Sequence, residues 1–61
     1  MTPTRQHLFH RFCVRLPDGS EHDVKLLDLT GSICQLQEVG VVHSQIYRRD
    51  KIVFLGPLPR Q

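Results

Sequence analysis

The chain has 61 residues, is 39% apolar, and sets eight Lys/Arg against six Asp/Glu for a formal charge of +2. That length holds one domain and no more, spanning residues 1–61, and folding at this size buries only about 60% of the unfolded surface, a core of about a dozen side chains. The apolar share excludes disorder of the whole chain, and no apolar run approaches the ~20 residues of a membrane span. The mild basic excess permits nucleic-acid contact without demanding it.

Residues 1–6 are polar, contain Pro3 and read as a loose arm without the apolar region of a signal peptide, so a soluble cytoplasmic protein is expected. From residue 8 to residue 16 the chain alternates, with Leu8, His10, Phe12, Val14 and Leu16 on one side and Phe9, Arg11, Cys13 and Arg15 on the other. Period two over that length predicts a strand. Its first few residues equally suit a single helical turn that packs Leu8 and Phe9 onto the domain. Pro17, Asp18, Gly19 and Ser20 are the strongest turn signal: Pro presets φ, Asp bonds its local backbone and Gly accepts a positive φ.

Residues 21–29 form the second predicted strand, with Val24, Leu26 and Asp28 on one face and Leu27 and Leu29 on the other. Apolar residues on both faces predict a strand that bends or crosses a core. Thr30, Gly31 and Ser32 make a turn. Residues 33–38 alternate Cys34 and Leu36 against Gln35 and Gln37, and Val39 and Gly40 make the next turn. Residues 41–47 form a fourth strand, with Val42, Ser44 and Ile46 opposite His43, Gln45 and Tyr47. Arg48, Arg49 and Asp50 interrupt the pattern for about one turn. Residues 51–55 resume as a short fifth strand that Gly56 and Pro57 stop, leaving 58–61 as a tail. Five short strands punctuated by turns predict an all-β fold, a small five-stranded Sm/SH3-like barrel whose closure removes exposed sheet edges.

The chemistry-bearing residues are sparse. Ser20, Ser32 and Ser44 lie in no nucleophile motif, and no Asp–His pair is spaced to point at one of them. Asp28 reads as a carboxylate that accepts local hydrogen bonds near a turn. The four glycines are scattered through turns, so no phosphate loop is present. Of the four histidines only His7 and His10 are closely spaced, and on a strand they face opposite sides, so neither metal nor cofactor is expected. Cys13 and Cys34, in apolar stretches, read as buried thiols. Tyr47, Arg48 and Arg49 put an aromatic ring beside two guanidinium groups at a strand end, a pairing suited to base stacking and phosphate contact. Arg11, Arg15 and Lys25 add charge on the outer faces of the first two strands.

Residues 14–54 resemble the Sm-like barrel superfamily. Leu16, Asp18 and Gly19 in the first hairpin, then Asp28 and Leu29, then Arg49, Asp50, Lys51 and Ile52 with Phe54 beyond, are similar to the Rof family of small bacterial proteins. That resemblance implies a non-catalytic regulator that binds the transcription terminator Rho through the first hairpin and the edge near Arg49, Asp50 and Lys51. Tyr47, Arg48 and Arg49 are also similar to the aromatic-then-basic motif of the RNA chaperone Hfq. That second resemblance implies a homo-oligomeric ring that binds single-stranded RNA. A small inhibitory or structural module of a mobile element is the third expectation.

Overall fold

The computed structural model describes residues 2–58. Five strands, β1 (Arg11–Arg15), β2 (Glu21–Leu29), β3 (Ile33–Glu38), β4 (Ser44–Arg48) and β5 (Val53–Pro57), form one antiparallel sheet. The strand order is β4-β3-β2-β1-β5. Its only helical pieces among the described residues are 3-10 turns at Arg5–His7 and Arg49–Lys51. The result is a small barrel-like all-β domain, as the turn chemistry predicts.

The hairpins form where the turn residues sit. Gly19 takes φ +88° and Gly40 φ +86°, a region that penalises any Cβ. Asp18 Oδ1 accepts from the Ser20 backbone N–H at 2.9 Å, closing the first turn. Thr30 Oγ1 accepts from the backbone N–H groups of Ser32 and Ile33 at 3.1 and 3.0 Å, closing the second. These side chains satisfy turn amides that the ladder leaves unpaired, which is why β2 and β3 keep the predicted boundaries.

The inward face collects Phe12, Val14, Val24, Leu26, Leu29, Cys34, Leu36, Ile52 and Phe54, with Leu8, Leu16 and Tyr47 packed against them. Phe12 and Phe54 meet edge to face, ring centroids 5.6 Å apart. Such a pair adds about 0.5–1.5 kcal/mol beyond its burial. The alternation in β2 changes phase at a bulge between Leu26 and Asp28. Strict alternation groups Leu26 with Asp28; the bulge at Leu27 instead turns Leu29 inward beside Leu26 and leaves Asp28 half-buried.

Several expectations from sequence are corrected. β1 begins at Arg11, because residues before it are drawn into the first 3-10 turn. Thr4 caps that turn, its Oγ1 accepting from the Gln6 backbone N–H while its own N–H donates to His7 Nδ1. The N-terminal segment is not a loose arm: Pro3 is buried, and its carbonyl accepts from Arg49 at 2.9 Å. His7 and His10 share this turn rather than a strand, their rings 5.8 Å apart. β4 starts at Ser44, not residue 41, since residues 39–43 are spent on a wider turn. β5 runs to Pro57 instead of stopping before it. A proline is tolerated there because β5 is an edge strand whose outward side needs no donor. Full closure is not reached, since β4 and β5 pair with no strand on their outer sides among the described residues. The tail beyond residue 58 lies outside the described residues.

Candidate functional site

The corner around Tyr47 was the strongest binding candidate in the sequence, and most of it is occupied structurally. Tyr47 opposes Cys34 across the β3–β4 ladder and packs against the core. Its hydroxyl donates to Gln45 Oε1 at 2.7 Å. Arg49 sits in the second 3-10 turn and points back over the barrel. Its guanidinium donates to the carbonyls of Thr30 at 2.8 Å and Pro3 at 2.9 Å. It ties the β2–β3 turn and the N-terminal segment to the β4–β5 connection. Arg48 is exposed and pairs with Asp50 at 3.4 Å, both side chains well solvated. Such a pair contributes about 0–1 kcal/mol. Lys51 is exposed at the end of the same turn.

The other basic candidates divide in the same way. Arg15 and Glu21 are ladder partners at the base of the first hairpin and form an ion pair at 3.0 Å. Arg11 and Lys25 are also ladder partners, and Lys25 in turn faces Gln37, which faces Ser44. This outward row of Arg11, Lys25, Gln37 and Ser44 carries two cations, and Asp23, two residues before Lys25, shares the same face of β2. Two surface grooves meet along that row. One is lined by Leu8, Phe9, His10, Pro57 and Leu58, the other by Gln37, Glu38, Val39, Val41 and Val42, and Arg11 and Lys25 belong to both.

Sequence reasoning missed two features. Phe9, read as an anchor onto the domain, is 66% exposed and adopts φ +68°. No local signal marks an exposed phenylalanine. The second feature is a chain of polar groups across the inner end of the first hairpin. Ser20 Oγ lies 2.8 Å from His22 Nε2, and His22 Nδ1 lies 2.7 Å from Glu38 Oε1. The absence of a spaced Asp–His pair therefore gave an incomplete picture, because the partner carboxylate is Glu38, delivered by the β2–β3 register. The signal available was the Ser20–His22 spacing of two, which puts both on one face of a strand.

That chain has the order of a Ser–His–carboxylate relay, but its protons run the other way. The Ser20 hydroxyl donates to Asp18 Oδ1 at 2.5 Å, so toward His22 its oxygen is an acceptor and not a nucleophile awaiting a base. The nearby amides are spent too: Gly19 N–H donates to the Leu16 carbonyl and Ser20 N–H to Asp18. Neither is left to stabilise an oxyanion. The adjoining pocket, walled by Leu16, His43 and Tyr47, measures only about 60 Å³. The arrangement braces the hairpin, and the Ser20 hydrogen bonds hold the Asp18 carboxyl below the ordinary aspartate range.

Asp28 behaves as its position suggests, accepting from the Leu29 backbone N–H at 2.9 Å and from Arg5 at 3.3 Å. Arg5 also donates to the Leu29 carbonyl at 2.6 Å. Cys34 is a free, fully buried thiol whose pKa is pushed up by burial, with Arg49 opposing; Cys13 is free and half-buried. Among the described residues no group of three or more His, Cys, Asp or Glu is placed to hold a metal ion. No helix of the described residues is long and apolar enough to cross a membrane. No known protein family, curated protein or solved structure matches the chain.

Proposed function

We propose that the protein is a small non-catalytic regulator that acts by binding a protein partner, with Rho the candidate partner from its resemblance to the Rof family. The observation that supports contact as the mode of action is the sheet's two open edges. β4 presents Ile46, 64% exposed, and β5 presents Val53 and Leu55, 50% and 41% exposed. Open edges with apolar side chains are surfaces on which a partner adds a strand or a flat apolar patch. The charge-bearing turn of Arg48, Asp50 and Lys51 lies between them in sequence and offers polar specificity at the rim.

Retention of purified Rho on the immobilised protein at low salt is the direct test, with Ile46→Lys as the matched variant. The expected result is capture by the parent chain and loss with Ile46→Lys. Failure of the folded parent chain to retain Rho removes Rho as partner. A second reading, the Hfq-like ring that binds RNA, draws on the same edges: β4 of one copy beside β5 of the next makes a head-to-tail contact, which forms a ring where the rotation between copies closes. Light scattering separates the two, since a closed ring has a fixed multiple of the monomer mass, whereas the regulator reading predicts a monomer that gains mass only with its partner.

A further inference from the structure

We propose that the outer edge of β4 binds an extended segment of a protein partner as a sixth, antiparallel strand. A small aliphatic side chain of that segment enters the pocket beside Gln45 and Tyr47, and an acidic one faces Arg48. The proposal deepens the protein-contact reading and rests on it, but not on Rho being the partner.

The first observation is which backbone groups are left over. Arg49 N–H donates to the Ser32 carbonyl at 2.8 Å, and Val39 N–H donates to the Asp23 carbonyl at 3.0 Å. Hydrogen-bonded and non-bonded pairs alternate along an antiparallel ladder. Counted from those two bonds, Cys34 and Leu36 turn their backbone groups toward β4, while Gln35 and Gln37 turn theirs toward β2. Ser44, Ile46 and Arg48 therefore point N–H and C=O away from β3, in a row that no proline or bulge interrupts. β5 differs: Pro57 supplies no N–H, and the β1–β5 register shifts at a bulge. Proline and bulges blunt an edge, so β4 is the edge fit to take another strand.

The second observation is exposure. β4 is the one strand of the five with no buried residue. Ile46 on its outer face is 64% exposed, and Gln45 is exposed although its ladder partner Leu36 lies in the core.

The third is the pocket on the inner face. Gln45 and Tyr47 line it together with Leu16, Val24, Leu36 and Val41. Its one acid, Glu38, is already paired with His22. The volume is about 60 Å³, and one water needs about 10–15 Å³ of such space, so a valine side chain fits. A strand laid against β4 sends alternate residues to that face. Main-chain bonds then give affinity and the pocket gives selectivity.

The fourth is charge. The turn after β4 sets Arg48, Arg49 and Lys51 against Asp50, with Arg48 and Asp50 paired at 3.4 Å. Three cations against one carboxylate leave the turn basic, so an acidic residue at that end of the incoming strand is complementary. A second copy of this chain fits less well. Paired β4 to β4 about Ile46, it sets Ser44 and not an acid opposite Arg48.

Amide-resolved NMR of the full chain, titrated with the peptide acetyl-Glu-Val-Ile-Val-Thr-amide, tests the site. Set antiparallel, the peptide places its Glu opposite Arg48, its valines opposite Tyr47 and Gln45, and its Ile opposite Ile46. Saturable shifts centred on 44–48 are expected at millimolar peptide. Methylating the nitrogen of the central Ile removes a main-chain bond, leaves the protein untouched and should abolish them. Replacing both valines by threonine keeps the branched shape but not the apolar group, and should weaken binding about tenfold. Arg48→Gln should weaken it about two- to fivefold. Ile46→Pro should abolish it while the β3–β4 ladder survives, because the Ile46 N–H points away from β3.

Absence of shifts at millimolar peptide would overturn the proposal, as would equal binding of the N-methylated peptide or shifts centred on 53–57. Self-association in light scattering that Ile46→Pro abolishes assigns the edge to a second copy and refutes it too. Equal capture of Rho by the parent and by Ile46→Pro refutes the edge and keeps the protein-contact reading. Peptide binding without Rho capture keeps the edge and removes Rho alone.

Discussion

Replacing Arg49 by alanine should destabilise the domain strongly, although the residue looks like a surface cation in the sequence. Its guanidinium donates to two backbone carbonyls, Thr30 at 2.8 Å and Pro3 at 2.9 Å, the second partly buried. Hydrogen bonds from a charged donor contribute about 1.5–3 kcal/mol each when shielded and less when solvated. Taking the Pro3 bond near the lower figure and the exposed Thr30 bond below it gives about 2 kcal/mol for Arg49→Ala. A core of this size seldom supplies more than about 3–5 kcal/mol in total. In a domain of 60–100 residues each kcal/mol moves Tm by about 4–8 °C, so a fall of about 10 °C is expected. Circular dichroism melts of Arg49→Ala, Arg49→Lys and Arg48→Ala provide the comparison. Arg49→Lys should recover less than half the loss, because one ammonium does not span both carbonyls as a planar fork does. Arg48→Ala, which breaks only a solvated pair with Asp50, should melt within about 2 °C of the parent. Equal melting of Arg48→Ala and Arg49→Ala would refute the clamp. The comparison also governs any RNA experiment at this corner, since binding lost with Arg49 replaced first has to be separated from unfolding.

Other perturbations follow from the same contacts. The Asp18 carboxyl is held below its ordinary range in the fold, so the folded state binds fewer protons there than the unfolded chain. Its stabilisation is complete above the unfolded aspartate pKa of about 4 and is lost as pH falls through the lower folded value. Asp18→Asn should therefore melt below the parent at pH 7, and the two should converge in strong acid; a difference that grows toward low pH contradicts the assignment. Gly19→Val should cost about 1–3 kcal/mol of stability and lower Tm accordingly, because a β-branched residue is forced to φ +88°. An unchanged melt means the first turn is misassigned. Cys34 should resist iodoacetamide at pH 8 in the folded protein and react in denaturant, since it is fully buried and its thiol pKa is raised; labelling counted by mass spectrometry checks this. Leu26→Ala, at a position with no exposure, should cost about 2–5 kcal/mol and leave little folded protein at 37 °C by circular dichroism.

The fold was legible where turn chemistry and alternation agreed. Pro17 to Ser20 and Thr30 to Ser32 bracket β2 and fix both its ends, and Cys34 and Leu36 fix the face of β3. Legibility failed where a long-range contact decided the outcome. The N-terminal segment reads as loose because nothing near Pro3 reveals that Arg49, 46 positions on, takes its carbonyl. Arg49 reads as a binding residue for the same reason. Within the candidate surfaces, the spacing of Arg11 and Lys25 says nothing until the hairpin register sets them opposite each other. Phe9 is the harder case: an exposed aromatic and a core aromatic are the same letter, and only the backbone angle tells them apart.

The bulge at Leu27 makes β2 one residue longer than its partner requires. Leu26 faces Leu36, Asp28 faces Gln35 and Leu29 faces Cys34, so the ladder counts past Leu27 as though it were absent. Removing that residue leaves Val24, Leu26 and Leu29 still inward and Asp28 still outward, on a strand that is now regular and straighter, since the supernumerary residue is what bends it. The curl of the sheet is thus written in a count, not in a residue type. Insertions and deletions at this point act on the shape of the domain while sparing its interior, whereas a one-residue slip anywhere else in β2 exchanges its two faces.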